Sequence, residues 1–151
     1  MAIERTLIII KPDGVQRALV GKVIERFESR GLRLAGLKLM RIPRQLAEEH
    51  YAEHKGKPFY AGTVAYMTSA PVVVMVLEGP DAIAAARATM GATNPLNAGP
   101  GTIRADFGMN ISRNIVHGSD KPETATREIA LYFAPDELLS YERSGDKWLT
   151  E

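Results

Sequence analysis

The chain has 151 residues, 45% of them hydrophobic and 25% charged, with a formal net charge of +1. That suits one globular domain, residues 1–151, large enough to bury a core. The balanced charge argues against a nucleic-acid or membrane surface. Cysteine is absent, which excludes disulfides, thiolate metal sites and thiol catalysis.

Leu7, Ile8, Ile9 and Ile10 form a β-branched-rich apolar run that predicts a strand. The run is too short for a signal peptide or a bilayer span, so the expected location is the cytoplasm. Pro12-Asp13-Gly14 reads as a turn. Val20, Val23, Ile24 and Phe27 recur at helical spacing, and Gly31 is a natural stop. Leu32 and Leu34 alternate with their neighbours, as do Leu37 and Leu39, but the phase slips at Ala35-Gly36. That slip predicts a β-bulge.

Residues 43–54 read as one helix, and residues 59–67 as a shorter one. Val72-Val73-Val74-Met75-Val76-Leu77 has no alternation, as in a central strand covered on both faces. Asp81 is a candidate N-cap for an alanine-rich helix that Gly91 closes. Residues 94–101 form a Pro/Gly/Asn loop of the length often found at functional sites. Ile115-Val116 predicts a short strand. Ser119 and Asp120 are expected to cap the next helix, which Pro122 opens. Residues 134–151 form a C-terminal extension whose Tyr141 and Trp148 are expected to be covered. The order βαββαβ predicts an α+β, ferredoxin-like sandwich with a four-stranded antiparallel sheet and extra helices.

The chemistry concentrates in Asn114-Ile115-Val116-His117-Gly118-Ser119-Asp120. An imidazole held beside a sharp turn can serve as nucleophile or base near neutral pH. This stretch resembles the Asn-x-x-His-Gly-Ser-Asp signature of nucleoside diphosphate kinases. The segment from Thr6 through Lys11-Pro12-Asp13-Gly14 resembles that family's opening strand. The segment from Thr93-Asn94-Pro95 to Pro100-Gly101-Thr102-Ile103-Arg104 resembles its long loop.

The resemblance implies a phosphotransferase that moves the γ-phosphoryl group of a nucleoside triphosphate to a nucleoside diphosphate. The transfer would be ping-pong, through a phosphohistidine on His117. It implies that Glu128 supports His117 together with Ser119, and that Tyr51 lies close by. Lys11, Arg87, Thr93, Arg104 and Asn114 match the family's phosphate and ribose contacts. Mg²⁺ is expected on the nucleotide phosphates and not in a protein cage. Phe59 can stack on any base and Ile111 can cover the other side, so base selectivity should be broad. Removing Lys11 or Arg104 is expected to cost turnover more than stability. His50 and His54 lie four apart without a third ligand, and they read as exposed helix residues. Thr63, Lys57 and Tyr60 depart from the family's usual leucine, arginine and phenylalanine.

A nucleotide-sensing module on the same fold is the competing class. A DNA-binding role finds no basic stripe to support it. The resemblance also implies a homo-oligomer, a hexamer with a tetramer as the alternative.

Overall fold

The computed structural model describes residues 3–151. Four strands form one antiparallel sheet: β1 (Ile3–Ile10), β2 (Arg33–Met40), β3 (Val72–Pro80) and β4 (Val116–Gly118), in the order β2-β3-β1-β4. Among the described residues seven α-helices accompany them: α1 (Pro12–Gln16), α2 (Val20–Arg30), α3 (Arg44–His50), α4 (Tyr60–Met67), α5 (Ala82–Met90), α6 (Ile103–Phe107) and, after the last strand, α7 (Pro122–Tyr132). This is the expected ferredoxin-like arrangement, with a helical layer on each face of the sheet.

Strand periodicity divides the core in two. Ile8, Ile10, Val73, Met75 and Leu77 face Val23 and Phe27 of α2 and Ala82, Ala86 and Met90 of α5. Leu7, Ile9, Val72, Val74 and Val76 face Ala47, Val64, Met67 and Tyr132 from α3, α4 and α7. Both faces of β1 and β3 are therefore covered, which explains their unbroken apolar runs. Gly31 ends α2 at φ 108°. The bulge falls at Ala35, where the register to β3 jumps between Leu34 and Gly36. No helix among the described residues is long and apolar enough to cross a membrane.

Several local expectations change. Pro12 opens the one-turn helix α1 where a turn is predicted, because proline at the first helical position needs no hydrogen-bond partner for its nitrogen. The helix expected over residues 43–54 breaks at Tyr51 into α3 and a 3₁₀ turn, Ala52–His54. Asp81 stands at φ 50° and its side chain makes no cap. Glu4 Oε1 accepts from the Ile83 N–H instead, 3.2 Å away. Ser119 and Asp120 do not cap α7, whose N-cap position is Lys121. Residues 94–101 contain a 3₁₀ turn, Pro95–Asn97, capped by the Asn94 side chain, and α6 follows where no helix is predicted.

The extension runs back along β2. Leu139 N–H donates to the carbonyl of bulged Ala35 at 2.9 Å, and Tyr141 Oη donates to the Leu34 carbonyl at 2.5 Å. Arg143 donates to the Gly31 and Leu32 carbonyls and pairs with Asp146. Trp148 stays 80% exposed and finds no cover on its own domain, which leaves a neighbouring subunit as the other expected cover.

Candidate active site

His117 sits in the middle residue of β4, paired with Ile9 on β1. The strand starts one residue later than expected and runs on to Gly118, because Ile115 lies outside it at φ 74°. Val116 N–H donates back to the Asn114 carbonyl at 2.8 Å, skipping one residue. That is a γ-turn of the strained, positive-φ kind, rarest for a β-branched residue. Such conformations cost on the order of 1–3 kcal/mol and cluster at functional sites. Here the turn swings Asn114 and His117 into one cleft.

The cleft encloses about 260 Å³. Lys11, Tyr51, Arg87, Thr93, Arg104, Asn114, His117 and Glu128 line it, together with His50 and Asp120. A larger apolar groove on the outer face of α7 lacks any comparable cluster of cations and titratable groups. Phe59 and Ile111 are 53% and 54% exposed and do not line the cleft itself. Phe59 directly precedes α4, and its ring centroid lies 5.3 Å from that of His54. Ser119 is fully buried behind the cleft.

Glu128 organises the nucleus of the site. Its carboxylate accepts from His117 Nε2 at 3.1 and 3.2 Å, from Ser119 Oγ at 2.7 Å and from His50 Nε2 at 2.9 Å. Burial pushes this carboxyl upward, but the hydrogen bonds from His117 and His50 outweigh it and hold the group well below the usual range. An ionised carboxylate only accepts, so both Nε2 atoms and the Ser119 hydroxyl must donate. Neutral His117 therefore keeps its proton on Nε2. Nδ1 carries the lone pair and has no hydrogen-bond partner among the described residues. Burial lowers the His117 pKa, against the opposing pull of Glu128, which favours this neutral form. Ser119 Oγ also accepts from the Leu7 N–H at 3.3 Å, anchoring the carboxylate to β1.

His50 is the residue that sequence reasoning misplaced. It is 2% exposed, not a surface helix residue. Its Nδ1 accepts from Tyr132 Oη at 2.7 Å, and its ring meets His117 edge-on with centroids 4.9 Å apart. Tyr51 stacks flat on it at 4.4 Å. The available signal was the helix face shared by His50 and Ala47, but nothing local distinguishes that face from the solvated one.

Cations line the opposite wall. Lys11 Nζ donates to Asn114 Oδ1 at 2.8 Å, and Asn114 Nδ2 donates to the Thr93 carbonyl at 3.0 Å. Burial and the nearby Arg104 charge lower the Lys11 pKa to about 8. Arg104 is 5% exposed and donates to the carbonyls of Gly91, Asn114 and Val116 at 2.9, 3.3 and 2.7 Å. Burial, then Arg87, brings its pKa down to about 10. Arg104 thus braces the γ-turn as well as charging the cleft. Arg87 is exposed and donates to the Gly118 carbonyl at 3.0 Å.

The ligand atoms of His50, His117 and Glu128 lie within 4.8 Å of one another, as in a metal site. The donor chemistry argues otherwise: Glu128 is filled by three hydrogen bonds, and His50 uses both ring nitrogens. The cleft offers an anion the cations Lys11, Arg87 and Arg104 and the neutral donors Thr93 and Asn114.

A family model for nucleoside diphosphate kinase matches residues 4–138. A nucleoside diphosphate kinase of Carboxydothermus hydrogenoformans is 62% identical over 148 residues, covering 98% of this chain and 99% of that one. One from Cyanothece is 60% identical with the same coverage. Among solved structures, a halophilic nucleoside diphosphate kinase from Halobacterium salinarum in complex with CDP superposes with a TM-score of 0.96. It is 49% identical, covering 99% of this chain and 100% of that one. A nucleoside diphosphate kinase family protein from Babesia bovis gives 0.94 at 44% identity, covering 97% and 99%.

Proposed function

This chain belongs to the nucleoside diphosphate kinase family and transfers phosphoryl groups between nucleotides, and we propose that His117 carries the group in transit. The single observation behind this reading is the Glu128 carboxylate on His117 Nε2, which leaves the Nδ1 lone pair free in a cationic cleft. Nδ1 attacks the γ-phosphorus of the donor. The N–P bond forms as the bond to the β-phosphate bridging oxygen breaks, and the diphosphate leaves. The positive charge that develops on the imidazole is balanced by Glu128, with Ser119 and His50 holding that carboxylate still. A terminal oxygen of the acceptor diphosphate then displaces Nδ1 and restores the neutral ring.

Lys11 and Arg104 match the charge of the transferring phosphoryl group, with Arg87 at the cleft mouth and Thr93 and Asn114 as neutral donors. Tyr51 walls the cleft beside His50. Mg²⁺ would arrive with the nucleotide and would neutralise charge on its phosphates, while Lys11 and Arg104 would hold the same phosphates from the protein side. No carboxylate cage is needed for that. Phe59 and Ile111 clamp the base through apolar faces, so purines and pyrimidines both serve. The CDP complex of the Halobacterium relative is in line with a pyrimidine diphosphate in such a cleft.

We place the enzyme in the cytoplasm, as one domain spanning residues 1–151 with residues 134–151 as its extension. We further propose a homohexamer, with a tetramer as the alternative. Exposed Leu37 and Leu39 on edge strand β2, and Leu96 in the long loop, supply apolar surface for subunit contacts. The decisive experiment is incubation with γ-labelled ATP and Mg²⁺. An acid-labile, alkali-stable label that is absent in His117→Ala establishes the intermediate. A label that persists in that variant overturns it.

A further inference from the structure

The strained γ-turn at Ile115 has to be held by something, and two side chains outside the cleft hold it. Asp13, on α1, accepts from the Ile115 N–H through Oδ2 at 3.1 Å. Its other oxygen, Oδ1, accepts from Tyr66 Oη at 2.6 Å, and the Asp13 N–H donates to that same hydroxyl at 3.0 Å. Lys11 N–H closes the frame by donating to the Ile115 carbonyl at 2.8 Å. The Arg113 guanidinium lies 4.1 Å from the centre of the Tyr66 ring, covering it from the turn's own side. Gly14 fits only because it lacks a side chain, since a Cβ there would stand 3.2 Å from the Ile115 methyl and 2.6 Å from that of Ile10.

We infer that Asp13 and Tyr66 are positioning residues that latch the Asn114–Val116 turn and thereby set the attack geometry of His117. The inference rests on His117 being the nucleophile. A positive-φ isoleucine relaxes toward extended backbone unless both of its peptide groups are tied. Relaxation rotates the peptide joining Ile115 to Val116, and His117 is the next residue. Asn114, the partner of Lys11, moves with the other end. The latch therefore places nucleophile and phosphate-side lysine relative to each other, touching neither reacting atom. Tyr66 belongs to α4, which begins directly after Phe59, so the base-stacking side of the site and the nucleophile share one rigid connection.

The test is rapid-quench phosphorylation of the protein by Mg·ATP, with nucleotide affinity measured separately by titration. Tyr66→Phe removes only the hydroxyl, and about a tenfold slower phosphorylation with unchanged affinity is expected. Asp13→Ala frees the turn, and about a hundredfold loss is expected, the size typical of a misplaced reactive group. Asp13→Asn keeps an oxygen for the Ile115 N–H and a donor for Tyr66, so it should restore the rate to within a few-fold of wild type. If Asp13→Asn is as slow as Asp13→Ala, the carboxylate acts through its charge on Lys11 and the latch is wrong. If Tyr66→Phe phosphorylates at the wild-type rate, the latch is equally wrong, whatever happens to its melting temperature. Should the wild-type protein form no phosphoenzyme, the His117 reading fails first, and that outcome is distinct from either of these.

Discussion

At the scale of single residues, the carboxylate of Glu128 decides which nitrogen of His117 reacts. Glu128→Gln keeps the shape but turns one acceptor into a donor. To accept from the amide, His117 or His50 must move its proton to the other nitrogen. Turnover should fall at least about a hundredfold, with thermal unfolding changed far less. Near-normal turnover in Glu128→Gln would show that tautomer control is unimportant. Lys11 gives a pH signature. With its pKa lowered to about 8 by burial and Arg104, it loses its charge as pH rises through about 8. His117, held below the usual histidine range, gains its lone pair on the acid side. The kcat/KM profile should be a bell with an alkaline limb near pH 8. Lys11→Arg should lower activity and abolish that limb, since arginine does not titrate there. For stability the sign is the reverse of a paired lysine. The folded pKa lies below the unfolded one, so the charged lysine destabilises the fold below about pH 8, and that penalty fades as pH rises toward 10.5.

At the scale of elements, each site group is fixed by the element behind it. Arg104 comes from α6 and braces three carbonyls around the γ-turn. Arg104→Ala would strand buried acceptors at about 1–3 kcal/mol each, so stability and turnover should fall together in denaturant titration and assay. The end of α2 offers a cleaner probe. Gly31 stands at φ 108°, and a Cβ there would meet Leu149 of the extension at 3.0 Å. Gly31→Ala should cost about 1–2 kcal/mol from the backbone conformation, seen as a lower unfolding midpoint. Phosphorylation of the folded protein should be unaffected, because the extension lies away from the cleft. The base clamp also belongs to this scale, since Phe59 and Ile111 sit on separate segments and offer no edge readout. Turnover with ATP, GTP and pyrimidine triphosphates against one acceptor should differ by far less than the roughly 10⁴-fold that dedicated hydrogen bonds would bring.

At the scale of the whole molecule, the sheet leaves β2 as an edge. The extension covers its first half through Leu34 and Ala35, and leaves Leu37 and Leu39 exposed beyond the bulge. An uncovered apolar edge favours pairing with a second copy. Light scattering on the purified protein should give six times the chain mass. Four times would select the tetramer instead, and a monomer at micromolar concentration would overturn the oligomer altogether. Replacing Leu37 and Leu39 with lysine should dissociate the assembly while each chain keeps its secondary structure.

The order of elements, the two-faced burial of β3, the bulge at Ala35 and the glycine stop of α2 were legible in the sequence. Each is a local consequence of side-chain periodicity or of a positive φ that glycine tolerates. The motif around His117 was equally legible, because chemistry-bearing residues crowd into seven consecutive positions. Tertiary structure alone decided three things. It buried His50 behind His117, which no helical periodicity distinguishes from a solvated face. It diverted Ser119 from capping α7 to holding Glu128, because the chain pairs with β1 before the helix begins. It also put Ile115 at positive φ, a conformation its side chain opposes and that only partners distant in sequence, Asp13 and Lys11, can sustain.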